Sequence, residues 1–117
     1  MEIKTILCPV DVYRTTDQEL QFATLVCRHF GARLILQCNL ETAPPSSLGM
    51  NWMYAEEHRD QGKQDEAAAE LKLRDCFSKL PPEISVEGKI THAPRDVAII
   101  ALSKECSSDL IFMVRHD

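Results

Sequence analysis

Short apolar runs and helical patterns alternate along the chain. Residues 3–10 (Ile-Lys-Thr-Ile-Leu-Cys-Pro-Val) predict a buried first strand. Thr16 and Glu19 have the spacing of a helix capping box, and apolar residues then recur at helical intervals up to Gly31, a typical helix terminator. Residues 33–40 are again apolar and predict a second strand. Strand, helix and strand in succession indicate a parallel βαβ unit.

The pattern breaks in the middle of the chain. From residue 41 to about residue 54, prolines and a glycine interrupt regular structure, which predicts a loop. The last part of it, the Met50–Tyr54 segment, is unusually apolar for a loop. Such a segment either packs onto the core as a lid or forms a surface for a partner or ligand, and the sequence leaves both open.

The remaining chain predicts a helix over 55–80, a strand over 84–90, a helix over 94–106 and a strand over 109–114. The expected inner face of the long helix is Ala67, Ala68, Leu71, Cys76, Phe77 and Leu80. The apolar positions of the next helix are Val97, Ile99, Ile100 and Leu102. The strand at 84–90 alternates and is less buried, whereas the last strand is apolar throughout. Four strands and three helices in this order predict a doubly wound α/β fold with an open parallel sheet.

Composition narrows the class of protein. The chain has 117 residues, so we expect a single domain over 1–117. Its net charge of −5 and pI of about 5.3 argue against general binding to nucleic acid or to anionic membranes. The apolar runs are too short to span a bilayer, and the N-terminus has no signal-peptide layout, which together predict a cytoplasmic location.

The residues that carry catalytic chemistry are scattered. Five cysteines form no CxxC pair and have no short Cys/His spacing, so we expect reduced, buried thiols, no metal site and no thioredoxin-like activity. The two Ser-Ser pairs lack the context of a nucleophile elbow. We therefore expect no enzymatic activity.

In open parallel sheets, ligands bind beyond the carboxyl ends of the strands. Asp11 follows the first strand and Asn39 ends the second, while His92 follows the third. A single Asp at such a position either accepts hydrogen bonds from a ligand or caps the next helix, and spacing alone does not choose between the two.

Five segments resemble universal stress protein domains. They are Lys-Thr-Ile-Leu-Cys-Pro-Val-Asp at 4–11, Phe-Gly-Ala at 30–32, Leu-Ile-Leu-Gln-Cys-Asn-Leu at 34–40, Thr-His-Ala-Pro-Arg-Asp-Val-Ala-Ile-Ile at 91–100 and Ser-Asp-Leu-Ile-Phe-Met at 108–113. The resemblance implies a five-stranded fold of the adenine-nucleotide α-hydrolase-like (Rossmann-like) class, often dimeric, that binds ATP or has lost that capacity.

The resemblance also implies a binding pocket. By position, Asp11 and the backbone of Asn39 would hold an adenosine, with the end of the last strand near its ribose. The implied adenosine-type pocket consists of Pro9, Val10, Asp11, Asn39, Met113 and Val114.

The family's glycine-rich phosphate loop does not match this sequence. Val114 and Asp117 stand at the two glycines of the G-x-x-G pattern, and Ala93 stands where the family usually has glycine. Glycine is used in such loops because backbone N–H groups must approach phosphates with unusual dihedral angles. We therefore expect no required cofactor, with ATP or another adenine nucleotide as the alternative.

The family's fifth strand also has no counterpart in these residues. The edge of strand four would then be exposed and apolar, which favours association. We expect that a second copy, another protein partner or the Met50–Tyr54 segment covers it.

These features predict a non-catalytic, universal-stress-protein-like module in stress response, which acts through protein contacts and has a degenerate nucleotide pocket. The alternative is an adenine-nucleotide-binding protein that uses the ends of strands one, two and four. A response-regulator receiver resembles residues 109–113 as well, but it requires an aspartate where Val114 stands.

Overall fold

The computed structural model describes residues 2–40 and 52–113, with side chains described at 2–40 and 64–113. In these ranges the helices and strands alternate. They are β1 (Thr5–Val10), α1 (Asp17–Phe30), β2 (Arg33–Asn39), α2 (Trp52–Lys79), β3 (Val86–Thr91), α3 (Arg95–Glu105) and β4 (Leu110–Ile111). None of these helices is both long and apolar enough to cross a bilayer.

The described strands form one sheet in the order β3-β2-β1-β4, and every pair is parallel. The chain moves outward from β1 to β3 and then crosses to the other side of β1 for β4. The predicted doubly wound α/β fold is therefore confirmed. The strand order reverses beside β1, which is where open parallel sheets bind ligands.

Helices cover both faces of the sheet because side chains alternate along each strand. One face carries α1 and α2, and the other carries α3. The first layer buries Ile6, Cys8, Val10, Leu34, Leu36 and Cys38 of the strands against Leu20, Ala23, Cys27, Leu73 and Cys76 of the helices. The second layer is smaller and joins Leu7 and Ile35 to Ile99 and Leu102.

The signals that bound α1 act as predicted. The Thr16 hydroxyl accepts a hydrogen bond from the Glu19 N–H, and the Glu19 carboxylate accepts one from the Thr16 N–H. Gly31 ends the helix with a φ of 65°, a left-handed conformation that glycine adopts without strain. The capped N-terminus places the loop that follows Asp11 directly before α1.

The prediction for the long helix was wrong in two respects. The helix begins at Trp52, so Trp52–Tyr54 belong to its first turn rather than to a loop, while Met50 lies outside the described residues. Its buried face is Ala69, Leu73, Cys76 and Leu80. Ala67 is exposed and the Leu71 side chain is 64% exposed. The apolar residues of α2 form two overlapping stripes, and docking on the sheet buries only one of them.

The last elements also differ from the prediction. β4 comprises two paired residues rather than the predicted 109–114, and it forms an edge of the described sheet. Ile111 is 38% exposed, so this strand is not buried throughout. On α3, Val97 and Ile100 are exposed, whereas Ala98 lies in the core beside Ile99 and Leu102. The short side chain of Ala98 suits the close packing of this helix on β2.

Candidate functional site

A cleft of about 420 Å³ lies at the carboxyl ends of β1 and β2. Its lining comes from residues 9–15, from Gln37, Asn39 and Leu40 at the end of β2, and from Glu19, Asp65, Arg95 and Ile99 of the three helices. Clefts of roughly 300–1,000 Å³ commonly bind small ligands. The position and the size together make it the candidate site.

The loop after β1 is held by Asp11. One carboxylate oxygen of Asp11 accepts hydrogen bonds from the N–H groups of Tyr13 at 2.9 Å and Arg14 at 3.0 Å. The Asp11 N–H donates to the Thr15 hydroxyl at 2.7 Å, and the Thr15 N–H donates back to the Asp11 carbonyl at 3.2 Å. Asp11 therefore shapes one wall of the cleft through its own turn. The alternative that it caps the next helix was wrong, because Thr16 is the N-cap of α1.

Helix α2 fastens the loops on both sides of the cleft. The Lys72 ammonium donates to the Thr15 carbonyl at 2.8 Å, which fixes the end of the first loop. The Nε2 atom of His92, which follows β3, lies 2.8 Å from a carboxylate oxygen of Glu66. The first contact fixes the backbone of the loop after β1, and the second joins two exposed side chains.

Side-chain amides of β2 connect the cleft to β3 and α3. The Asn39 amide donates to the Ala93 carbonyl at 2.8 Å, and its oxygen accepts from the Thr91 hydroxyl at 2.9 Å. The Gln37 amide donates to the Thr91 hydroxyl at 3.0 Å and to the Ala98 carbonyl at 3.1 Å. Asn39 thus fastens the loop after β3, and its side chain is oriented by protein groups.

The charges along the cleft are mixed. The lining includes two arginines, Arg14 and Arg95, and three carboxylates, those of Asp11, Glu19 and Asp65. Tyr13 is the aromatic side chain of the described lining, with 85% of its surface accessible. An aromatic ring beside polar groups suits a planar, neutral ligand such as a nucleobase, whereas the mixture of charges gives no concentrated cationic site for a triphosphate.

The structure brings together four of the six predicted site residues. Pro9, Val10, Asp11 and Asn39 line the cleft. Met113 is half-exposed beyond β4 and is absent from the described lining, and Val114 lies outside the described residues. Whether any of the six contacts a ligand stays a prediction.

Sequence reasoning missed the contributions of Gln37 and the helices to this cleft. Gln37 is 1% exposed, and its Oε1 has no hydrogen-bond partner among the described residues. The available signal was a single amide within the otherwise apolar run 34–38. The helix residues Glu19, Asp65 and Arg95 carry no local signal because only the tertiary fold brings them to the edge of the sheet.

The five thiols are free and mostly buried. Cys8, Cys27, Cys38 and Cys76 are buried, Cys106 is partly exposed, and all five are free. Burial raises the pKa of the Cys8 and Cys38 thiols to about 12, so both remain protonated at neutral pH. The described residues include no group of three or more His, Cys, Asp or Glu that could hold a metal ion.

A second, wider depression of about 580 Å³ lies at the opposite edge of the sheet. It is lined by residues at the amino ends of β1 and β2, including the Arg28–Glu83 ion pair. Although it is larger, the amino ends of parallel strands are not where open sheets bind ligands. We therefore assign the candidate site to the carboxyl edge.

Comparison with known proteins identifies the fold. No protein-family model matches the sequence, and no curated protein matches it. Among solved structures, universal stress protein UspA from Lactobacillus plantarum is 16% identical with a TM-score of 0.76, covering 97% of this chain and 77% of that one.

Two further structures agree with this result. A universal stress protein from Archaeoglobus fulgidus is 16% identical with a TM-score of 0.67, covering 97% of this chain and 76% of that one. A universal stress protein in complex with cAMP is 12% identical with a TM-score of 0.61, covering 95% and 72%. The chain has the fold of the universal stress proteins.

Proposed function

We propose that this chain is a non-enzymatic, universal-stress-protein-like module whose carboxyl-edge cleft binds an adenosine-type ligand. The observation that carries the proposal is the cleft itself, at the ends of β1 and β2. Its size suits a nucleoside, and Pro9, Val10, Asp11 and Asn39 lie in its lining. A universal stress protein of the same fold has been solved with cAMP, an adenine-containing ligand.

Phosphate groups add little to the affinity in this proposal. The lining carries two arginines and three carboxylates, so added phosphates gain no net attraction there. Val114 and Asp117 replace glycines at the positions of the family's phosphate loop. A β-branched residue resists the backbone conformations that such a loop requires.

Calorimetric titration with adenosine, AMP and ATP tests the proposal on protein freed of co-purified nucleotide. We expect adenosine to bind, and the three affinities to agree within about threefold, or about 0.7 kcal/mol. Affinity that rises tenfold or more from adenosine to ATP would show a phosphate site and overturn the phosphate-independent mode. If none of the three binds, the proposal that the cleft binds an adenosine-type ligand is wrong.

A pair of exposed-residue variants localises the binding. Tyr13→Ala removes the exposed ring of the cleft and should weaken adenosine binding by about 1 kcal/mol or more if the base stacks on it. Leu71→Ala removes a similarly exposed apolar side chain on α2, outside the lining, and should leave the affinity unchanged. Equal effects of the two variants would contradict binding in the cleft.

A second candidate function, contact with another protein, is favoured by the β4 edge. Residues 110–113 carry no charge or proline, and Ile111 and Met113 are exposed. Natural edge strands usually carry such protecting residues, because an unprotected edge pairs with other strands. We propose that this edge pairs with a second copy of the chain or with another protein.

Sedimentation over a wide concentration range tests the pairing of two copies. Ile111→Lys places a charge at the edge and should shift the protein towards monomer, whereas Leu71→Lys, at an equally apolar exposed site on α2, should not. A wild-type protein that stays monomeric at all concentrations would contradict self-pairing and leave another protein as the partner.

A further inference from the structure

A directed chain of hydrogen bonds lies beside the cleft, on the α3 side of the sheet. Gln37 donates through Nε2 to the Thr91 hydroxyl and to the Ala98 carbonyl, and Thr91 donates to the Asn39 amide oxygen. Asn39 in turn donates through Nδ2 to the Ala93 carbonyl. Both ends of this chain are backbone carbonyls.

The orientation of each amide follows from these ends. A carbonyl oxygen only accepts hydrogen bonds. Gln37 must therefore present its NH2 group to the Ala98 carbonyl, and Asn39 must present its NH2 group to the Ala93 carbonyl. If the Gln37 amide were turned over, its oxygen would face the Ala98 oxygen and the bond would be lost. The hydrogen-bond chain therefore fixes the orientation of the Gln37 amide. Both of its N–H groups donate, to Thr91 and to Ala98, and its Oε1 lies on the side away from these two acceptors.

The Oε1 atom of Gln37 has no partner among the described residues although the side chain is 1% exposed. A buried acceptor without a partner costs folding free energy, and an apolar residue of the same size would avoid that cost. Gln37 belongs to the lining of the cleft. The structure thus holds a preoriented acceptor at the candidate site that no described protein group uses.

We propose that Gln37 is a specificity-determining residue whose Oε1 accepts a hydrogen bond from an amino group of the bound ligand. This inference rests on the proposed function, because it assigns a role in ligand recognition to the same cleft. It predicts selection for a base with an exocyclic amino group over the same base without one. A site that orients an acceptor discriminates strongly because the analogue leaves that acceptor unpaired.

The test compares adenosine with purine riboside, which differs from adenosine only in lacking the 6-amino group. We expect the wild-type protein to bind adenosine about tenfold more tightly in calorimetric titration. This comparison needs no variant, so it decides the question even if substitutions at Gln37 impair folding. Equal binding of the two nucleosides would overturn the proposal.

Two variants separate recognition from structure. Gln37→Met keeps the length of the side chain but removes the acceptor. The ratio of the affinity for adenosine to that for purine riboside should therefore fall to about one, mainly through weaker adenosine binding. Thr91→Val removes a hydroxyl of the same hydrogen-bond chain but leaves Oε1 and the Ala98 contact in place. It should therefore keep most of the preference even if both affinities change.

The outcomes distinguish this inference from the proposed function. If Gln37→Met weakens both nucleosides equally and the preference persists, Gln37 is only structural and the inference is wrong while adenosine binding stands. If the wild-type protein binds neither nucleoside, the proposed function fails, and the role of Gln37 in recognition fails with it.

Discussion

The two sides of β1 are built differently. Towards β2, the strands pair over the full length of β1, from Thr5–Arg33 to Val10–Cys38, and hydrogen-bonded loops follow. Towards β4, pairing is confined to the positions of Leu110 and Ile111. The first side holds the cleft, and the second leaves apolar side chains exposed. The β2 side therefore has hydrogen-bonded loops around a cleft, and the β4 side has a short, partly exposed edge.

Truncation of an apolar side chain should give the largest difference between the two sides in the free energy of unfolding. Leu34→Ala empties a position in β2 that is fully buried, so it should lower the free energy of unfolding by about 2–5 kcal/mol. Ile111→Ala in β4 removes a partly exposed side chain and should cost less than about 1 kcal/mol. Urea unfolding of both variants measures the difference, and similar losses would contradict the contrast.

The stability of the turn after β1 should depend on the hydrogen-bond acceptor of the Asp11 side chain more than on the negative charge of that side chain. Asp11→Ala removes the hydrogen bonds to Tyr13 and Arg14 and should destabilise the protein by about 1 kcal/mol. Asp11→Asn keeps a side-chain oxygen for the same bonds and should retain most of that stability. Thermal unfolding distinguishes the two. If Asn is as harmful as Ala, the carboxylate charge matters and the turn alone does not explain Asp11.

The residues with positive φ should respond in opposite directions. Gly31→Ala places a side chain at φ 65° and should cost about 1 kcal/mol, since no steric neighbour adds to the conformational strain. Ser107, between α3 and β4, has a φ of 53°. Ser107→Gly should relieve strain there, with a smaller gain of about 0.5 kcal/mol because glycine also adds entropy to the unfolded chain. Denaturation midpoints check both signs.

Acid should weaken the junction between β4 and β1. The N–H groups of Lys4 and Thr5 donate to the Asp109 carboxylate and hold its pKa below the usual value. The stability that this provides is present above the unfolded-state pKa, near 3.9, and is lost as the pH falls through the lower folded-state pKa. Asp109→Asn should therefore flatten the acid limb of stability measured against pH. The effect should be small because the carboxylate is exposed, and an unchanged acid limb would contradict it.

The fold was predictable because its local signals agree with one another. Local signals mark the first three elements. The capping box at Thr16 and the stop at Gly31 bound α1, and the apolar runs on either side of it mark β1 and β2. The inner face of α2 was not predictable from spacing, since Leu71 and Leu73 lie on different faces and are equally apolar. Their burial is decided by the position of the sheet, which no local pattern encodes.

The candidate site was predictable only in part, for a related reason. Asp11 follows β1 and Asn39 ends β2, so topology places both at the carboxyl edge, as the sequence indicated. Gln37 is recognised as unusual only when its partners on β3 and α3 are known, because those partners lie more than fifty residues away in the chain. Arg95 reaches the cleft through the docking of α3, again a tertiary effect.

The most direct test of the cleft as a ligand site is an amide chemical-shift map recorded while adenosine is added to the labelled protein. We predict that the shifts change at residues 10–15 and 37–40 and around Arg95, and stay constant at the β4 edge and at the opposite depression around residues 27–33 and 83–85. Changes confined to that opposite depression, or no changes at saturating adenosine, would contradict the assignment of the site.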